Sequence, residues 1–207
     1  MHNNIVEIEA KKYYTNLPYH NFNHTLKVAD TAVKIIAQCR KDFIEIEEDV
    51  IYYAILFHDA GYAENEKKLG FDTKEDYAAN IASKVLKQLG FKEEKINKVM
   101  RIIIATHRNV PWKSIEEGII RAADLAGLAS EYPEFLENSK NLKKEYELLN
   151  KKQVSSKEWK EMSKKLIKFY INEEIKLSRN YYDKEGRSIF HEKARRNLDR
   201  FLQEKEI

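Results

Sequence analysis

One short stretch restricts this chain more than any other. The run Val50-Ile51-Tyr52-Tyr53-Ala54-Ile55-Leu56-Phe57 leads straight into an adjacent His58-Asp59 pair, and Ala60-Gly61-Tyr62 follows. Eight apolar residues in succession predict a helix buried over most of its circumference, with Gly61 placed where such a helix stops. An ionised carboxylate at the end of a buried helix is costly unless it is paired or coordinates a metal. The pair therefore calls for partners elsewhere in the sequence.

Six glycines and three prolines among 207 residues are too few for an all-β domain, which needs turn residues at short intervals. The expected fold class is all-α. A first helix is predicted over about Asn4–Thr15, with Ile5, Ile8 and Tyr13 as apolar surface, and Asn16-Leu17-Pro18 breaks it. The polar and aromatic segment Tyr19-His20-Asn21-Phe22-Asn23-His24 leads into a helix over about Thr25–Lys41. Leu26, Ala29, Val33, Ile36 and Ala37 recur there at three- and four-residue steps and predict its buried face.

After the His58-Asp59 helix, residues 63–72 read as a loop. Thr73-Lys74-Glu75-Asp76 then opens a helix with the stripe Tyr77, Ile81, Val85 and Leu89, closed by Gly90. The next helix, Glu93–His107, buries Ile96, Val99, Ile103 and Ile104 and is stopped by Asn109-Val110-Pro111. A further helix over about Ser114–Ser130 carries Asp124 inside an apolar stretch. Two long segments, about Pro133–Leu149 and Ser156–Tyr182, are followed by the turn Asp183-Lys184-Glu185-Gly186 and a last helix over about Ser188–Leu202.

The chain is long enough for one large domain, expected to span residues 1–207, with a core at about 19–128 and a C-terminal helical extension at about 133–205. Hydrophobic residues at 43% and charged residues at 34% suit a soluble protein, and no apolar run approaches the roughly 18 residues of a membrane helix. The net charge of +3 is too small to argue for nucleic acid as a partner. The segment Met1–Glu7 carries no secretory pattern, and the single Cys39 lies in apolar surroundings that predict a buried thiol. A reducing cytoplasm is the expected compartment.

The polar residues at helix ends or inside apolar helices are His24, His58, Asp59, His107 and Asp124. Imidazole and carboxylate donors together suit Mn, Fe, Co, Ni or Zn. Structural zinc sites usually draw on several cysteines, so with one cysteine an open, catalytic metal is the expectation.

The order His24, His58-Asp59, Asp124 resembles the H…HD…D pattern of the HD-domain superfamily of metal-dependent phosphohydrolases. Tyr19-His20-Asn21-Phe22-Asn23-His24 is similar to the YHNxxH segment of many of its members, cyclic-nucleotide phosphodiesterases among them. The segment from Glu185-Gly186-Arg187 to Leu198 resembles the tail of a bacterial group of unassigned HD proteins. The resemblance implies a helical bundle of the HD-domain type with additional C-terminal helices. It implies that His24, His58, Asp59 and Asp124 hold a divalent metal, with Mn or Fe favoured and Mg also admitted, and that metal-bound hydroxide attacks a phosphate ester of a small molecule, with a nucleotide as the expected class. Asp59 would also orient the nucleophile.

His20 would donate to the leaving group or a phosphate oxygen, or else cap the His24 helix. His107 would bind a second metal or the substrate, or cap its own helix. Arg108 and Arg121 are candidates to hold phosphate, and Tyr19, Tyr62 and Trp112 to stack on a base. Relatives with a catalytic Glu three residues after the HD aspartate differ from this chain, which has Tyr62 there. Glu75 is the candidate in its stead, and Glu64 reads as solvated. A mixed-valent di-iron oxygenase on the same scaffold, or a non-catalytic nucleotide-binding or regulatory module, are the competing readings. Long amphipathic C-terminal helices admit a homodimer, and neither membrane nor nucleic acid is expected as a partner.

Overall fold

The apolar run forms α3, Glu48–Phe57, in the computed structural model, which describes residues 4–173, 183 and 185–207. Val50, Ile51, Tyr53, Ala54, Ile55, Leu56 and Phe57 are all buried. Around them pack α1 (Asn4–Lys11), α2 (Phe22–Lys41), α4 (Lys74–Gln88), α5 (Glu93–Ile104) and α6 (Ile115–Asp124). β-Branched and aromatic residues disfavour a helix by less than about 0.7 kcal/mol each. Burial of one large apolar side chain contributes roughly 1.5–3 kcal/mol, so tertiary packing decides the conformation of this run.

The described residues contain nine α-helices and no strand, so the architecture is all-α. They fall into two compact units, Met1–Asp124 and Leu125–Ile207. In the second unit a 3-10 turn at Leu125–Ala129 precedes α7 (Tyr132–Asn150), α8 (Ser156–Ile171) and α9 (Ile189–Gln203). Its own core gathers Tyr132, Phe135, Val154, Trp159, Ile167, Ile171, Ala194, Leu198 and Phe201. Ser155 and Glu158 form a reciprocal capping box at the start of α8. The buried Trp159 indole donates to Ser139 Oγ at 3.0 Å.

Several boundaries and faces differ from the sequence expectation. The first helix ends at Lys11, four residues short of Thr15, and buries Val6 and Ala10, while Ile5 and Ile8 are each 56% exposed. The second begins at Phe22 and buries Phe22, Thr25, Val28, Ala32, Ile35, Ile36 and Cys39. Of the predicted stripe Ile36 is buried and Ala29 half-buried, whereas Leu26, Val33 and Ala37 are exposed. Apolar residues cover two faces of α2, and the face that meets α3 and α6 is the one buried.

Residues 63–72 include a 3-10 turn at Glu66–Leu69. The α5 helix stops at Ile104, so His107 lies in the turn beyond it. The segment predicted as one helix over 114–130 is α6 followed by the 3-10 turn. The α8 helix ends at Ile171 with Asn172 as its cap. Residues 174–182 of the expected longer helix lie outside the described residues, as does Lys184 of the following turn. That turn is otherwise in place, with Gly186 at φ 76° and its amide donating to the Asp183 carbonyl at 3.0 Å.

Candidate metal centre

Each candidate ligand is set by the end of a helix. Asn21 caps α2: its Oδ1 accepts from the amides of Asn23 at 3.0 Å and His24 at 3.2 Å, and its Nδ2 donates to the Leu17 carbonyl at 2.8 Å. This is the usual work of an Asn at a helix N-terminus, and it fixes His24 in the first turn. Asn21 was legible as a cap from its place just before the helix, yet the sequence reading gave it no role. At the other end of α3, His58 is the C-terminal cap residue, and Asp59 opens the turn that follows. Asp124 is the last residue of α6.

The turn after α3 is tightly made. The Ala60 amide donates to Phe57 O at 2.9 Å and the Tyr62 amide to Asp59 O at 3.1 Å. Gly61 has φ +75°, and a Cβ built there would lie 2.5 Å from Tyr77 Cε1 and 2.9 Å from Ile81 Cδ1. Only glycine meets both demands, the left-handed backbone and the close approach of α4. The segment after α1 ties the turn from the other side. Tyr14 Oη donates to the Leu56 carbonyl at 3.0 Å, and the Gly61 amide donates to the Tyr13 carbonyl at 3.0 Å. Burial, reinforced by the Asp59 charge, pushes the Tyr14 hydroxyl far above the usual tyrosine range.

These elements bring the four predicted ligands together. Nitrogen atoms of His24 and His58 and a carboxylate oxygen of Asp124 all lie within 4.8 Å of one another. His24 Nε2 is 3.2 Å from Asp124 Oδ1 and 3.7 Å from Asp59 Oδ2. His58 Nε2 is 3.0 Å from Asp59 Oδ2 and 3.6 Å from Asp124 Oδ1.

The state of His58 tests whether a cation fits. Its Nδ1 is 2.8 Å from the Ile55 carbonyl, and a carbonyl only accepts, so Nδ1 carries the hydrogen. In the neutral ring Nε2 then holds a lone pair facing two carboxylates. Neither His58 Nε2 nor Asp59 Oδ2 has a hydrogen-bond partner in good geometry, although both atoms are buried. A proton or a cation resolves this opposition. A histidine whose far nitrogen is fixed by a backbone carbonyl is the usual arrangement of a metal ligand, and two imidazoles with two carboxylates suit a divalent transition metal.

The electrostatics of the bare cluster agree. Burial lowers the His58 pKa, but the Asp59 charge, joined by Asp124, lifts it well above the ordinary histidine range. Burial raises the Asp124 carboxyl, and the His24 and His58 interactions overcome it and hold the pKa far below the usual range. Asp59 is likewise lowered against its burial, by His58 first and His20 second. A protonated His58 imidazole thus supplies positive charge that a metal would otherwise bring.

Other predicted residues stand around this cluster. The His20 ring is stacked on Tyr62 and lies 5.9 Å from the His24 ring. Glu75, in the first turn of α4, is partly buried. Burial lifts its carboxyl above the ordinary range against its own amide and the His107 charge, with Asp59 adding to the rise. His107 Nδ1 accepts from the Asn109 amide at 3.3 Å.

The two arginines part company. Arg121, expected beside a phosphate, is 2% exposed. Its Nη1 donates to the carbonyl of Val110 at 2.7 Å and to that of Ala105 at 3.4 Å, and its Nη2 to that of Arg108 at 2.8 Å. It is a strut for the loop that carries His107. Nothing in one sequence links an arginine to carbonyls 11–16 residues away on another element. Arg108 and Lys113 have exposed side chains, and Glu64 is exposed as expected.

A family model of the HD domain matches residues 21–126, just over half of the 207 residues. That span contains His24, His58, Asp59 and Asp124. No curated protein matches the chain.

Proposed function

We propose, for a chain that belongs to the HD-domain family, hydrolysis of a phosphate ester of a small molecule, with nucleotides as the substrate class. Members of this family are mostly metal-dependent hydrolases. The observation that carries the reading is the convergence of His24, His58 and Asp124 within 4.8 Å beside the buried Asp59 Oδ2, which lies 3.0 Å from His58 Nε2 without a hydrogen bond in good geometry.

His24, His58, Asp59 and Asp124 would hold a divalent ion, of which Mn or Fe are the first to test. Such an ion supplies a Lewis acid to a phosphoryl oxygen and lowers the pKa of the attacking water. Asp59 orients that water, and Glu75, at the start of α4, is assigned as the acceptor of its proton. His20 donates a proton to the leaving oxygen. Arg108, exposed on the loop after α5, is the arginine left to meet the phosphate. Nucleotides are the favoured class because Tyr19 places an aromatic ring beside His24.

The test begins with metal analysis of the purified protein. A phosphate-release screen over nucleoside mono-, di- and triphosphates then follows, with that metal supplied. The double variant His58→Ala/Asp59→Ala is expected to lose both the bound metal and all phosphate release above background, with its helical circular dichroism kept. Unchanged turnover in the double variant would remove the reading.

A further inference from the structure

No helix aims His20, which lies in the bend between Pro18 and α2. Rings surround its imidazole instead. Tyr62 lies parallel to it, 3.8 Å between centroids and 15° between planes. Tyr19 approaches edge-on at 4.9 Å and His24 at 5.9 Å. Tyr62 is itself held from two sides. Its amide donates to Asp59 O, and its carbonyl accepts from Lys74 Nζ at 2.8 Å. The same ammonium stands 4.8 Å from the centroid of the Tyr62 ring. Lys74 in turn donates to the Glu64 carbonyl at 3.0 Å and to Glu66 Oε2 at 3.1 Å. The Tyr62 ring is therefore anchored both to the turn that carries Asp59 and to the first turn of α4.

We propose that Tyr62 is a positioning residue: its ring is the backstop that keeps the His20 imidazole beside the His24, His58, Asp59 and Asp124 cluster, and Lys74 fixes the backstop. The proposal rests on the role given to His20 above, donation of a proton to the leaving oxygen. A donor serves only when its nitrogen stays within hydrogen-bond reach of that oxygen. A ring stacked face-on adds this constraint to a side chain delivered by a bend. Misplacement by about 1 Å lowers a rate by about 100-fold in unfavourable cases.

The test has one arm that needs no activity. In proton–carbon spectra of the metal-free protein, the His20 ring signals are displaced upfield by the Tyr62 ring current. Tyr62→Leu abolishes the displacement and Tyr62→Phe retains it. The kinetic arm uses two esters with Mn²⁺ supplied. Phenyl phosphate has a leaving group that needs a proton, and p-nitrophenyl phosphate has one that leaves without it. Tyr62→Leu lowers kcat for phenyl phosphate by about tenfold or more, leaves KM within about twofold, and affects p-nitrophenyl phosphate less. Tyr62→Phe restores the loss, and adding Tyr62→Leu to His20→Ala lowers kcat no further than His20→Ala does.

His20 signals that do not move in Tyr62→Leu overturn the proposal whatever the activity. A raised KM with kcat intact overturns it as well, since Tyr62 would then be touching the substrate. If the signals respond as stated while the wild-type protein hydrolyses neither ester, the clamp stands and the hydrolase reading falls.

Discussion

Two helices in the first unit, α3 and α5, each deliver a histidine at or just beyond the C-terminal end, and they do so by opposite means. His58 is aimed by its own helix, since Nδ1 donates to the Ile55 carbonyl one turn back and Nε2 is left for a ligand. His107 lies three residues beyond the end of α5. Its Nδ1 accepts from the Asn109 amide, and the loop around it is held by the Arg121 guanidinium from α6. The first histidine is placed by local chemistry and the second by a strut from another helix. A metal ligand gains from the first arrangement because its direction survives motion elsewhere.

Substitutions separate the two arrangements, and the largest effect is expected at the strut. Arg121→Met removes charged hydrogen bonds to two backbone carbonyls at under 3 Å and is expected to lower stability by about 2–4 kcal/mol. Denaturant unfolding measures this loss, and hydrogen exchange should show faster opening at residues 105–110 than in the turn at 57–62. Equal protection in both places would mean that the loop does not depend on Arg121.

Gly61→Ala attacks the other turn. The left-handed backbone alone costs about 1–3 kcal/mol for a residue with a side chain, and the Cβ would press on Tyr77 and Ile81. Stability and metal affinity should fall together, as read by the thermal midpoint with and without Mn²⁺. A variant as stable as the parent would show that the turn relaxes without penalty.

Asn21→Ala is the smallest of the three, at about 1 kcal/mol for a lost helix cap. It should fray the first turn of α2, which carries His24. The check is a modest drop in unfolding free energy, with most of the stability returned by Asn21→Ser.

Much of the first unit is readable from residue order. The α3 run, the Thr73 cap of α4 and the glycines at 70 and 90 each act within a few residues of themselves, so the linear pattern reports them. The α2 face was misread because Leu26, Val33 and Ala37 have the same period as Val28, Ala32, Ile35 and Cys39. Periodicity identifies a helix with two apolar faces without choosing between them. The same holds for α1, where Ile5 and Ile8 are exposed and the smaller Val6 and Ala10 are buried. Larger side chains promised more buried area, but small ones allow the close approach to α3 and α4 that was selected.

The site divides along the same line. His24, His58, Asp59, His107 and Asp124 were gathered as candidates before any fold was known, because polar donors at the ends of or inside apolar helices have few reasons to be there other than a shared partner. The resemblance to the H…HD…D pattern singled out four of them. Their residue types and helical addresses follow from local pattern, which adjacent residues set. Which arginine turns to backbone, which ring backs His20, and which face of α2 meets the core depend on residues 10–100 positions apart. Those pairings arise only when helices pack, since the free energy that selects them is the burial and satisfaction of groups that no single segment contains.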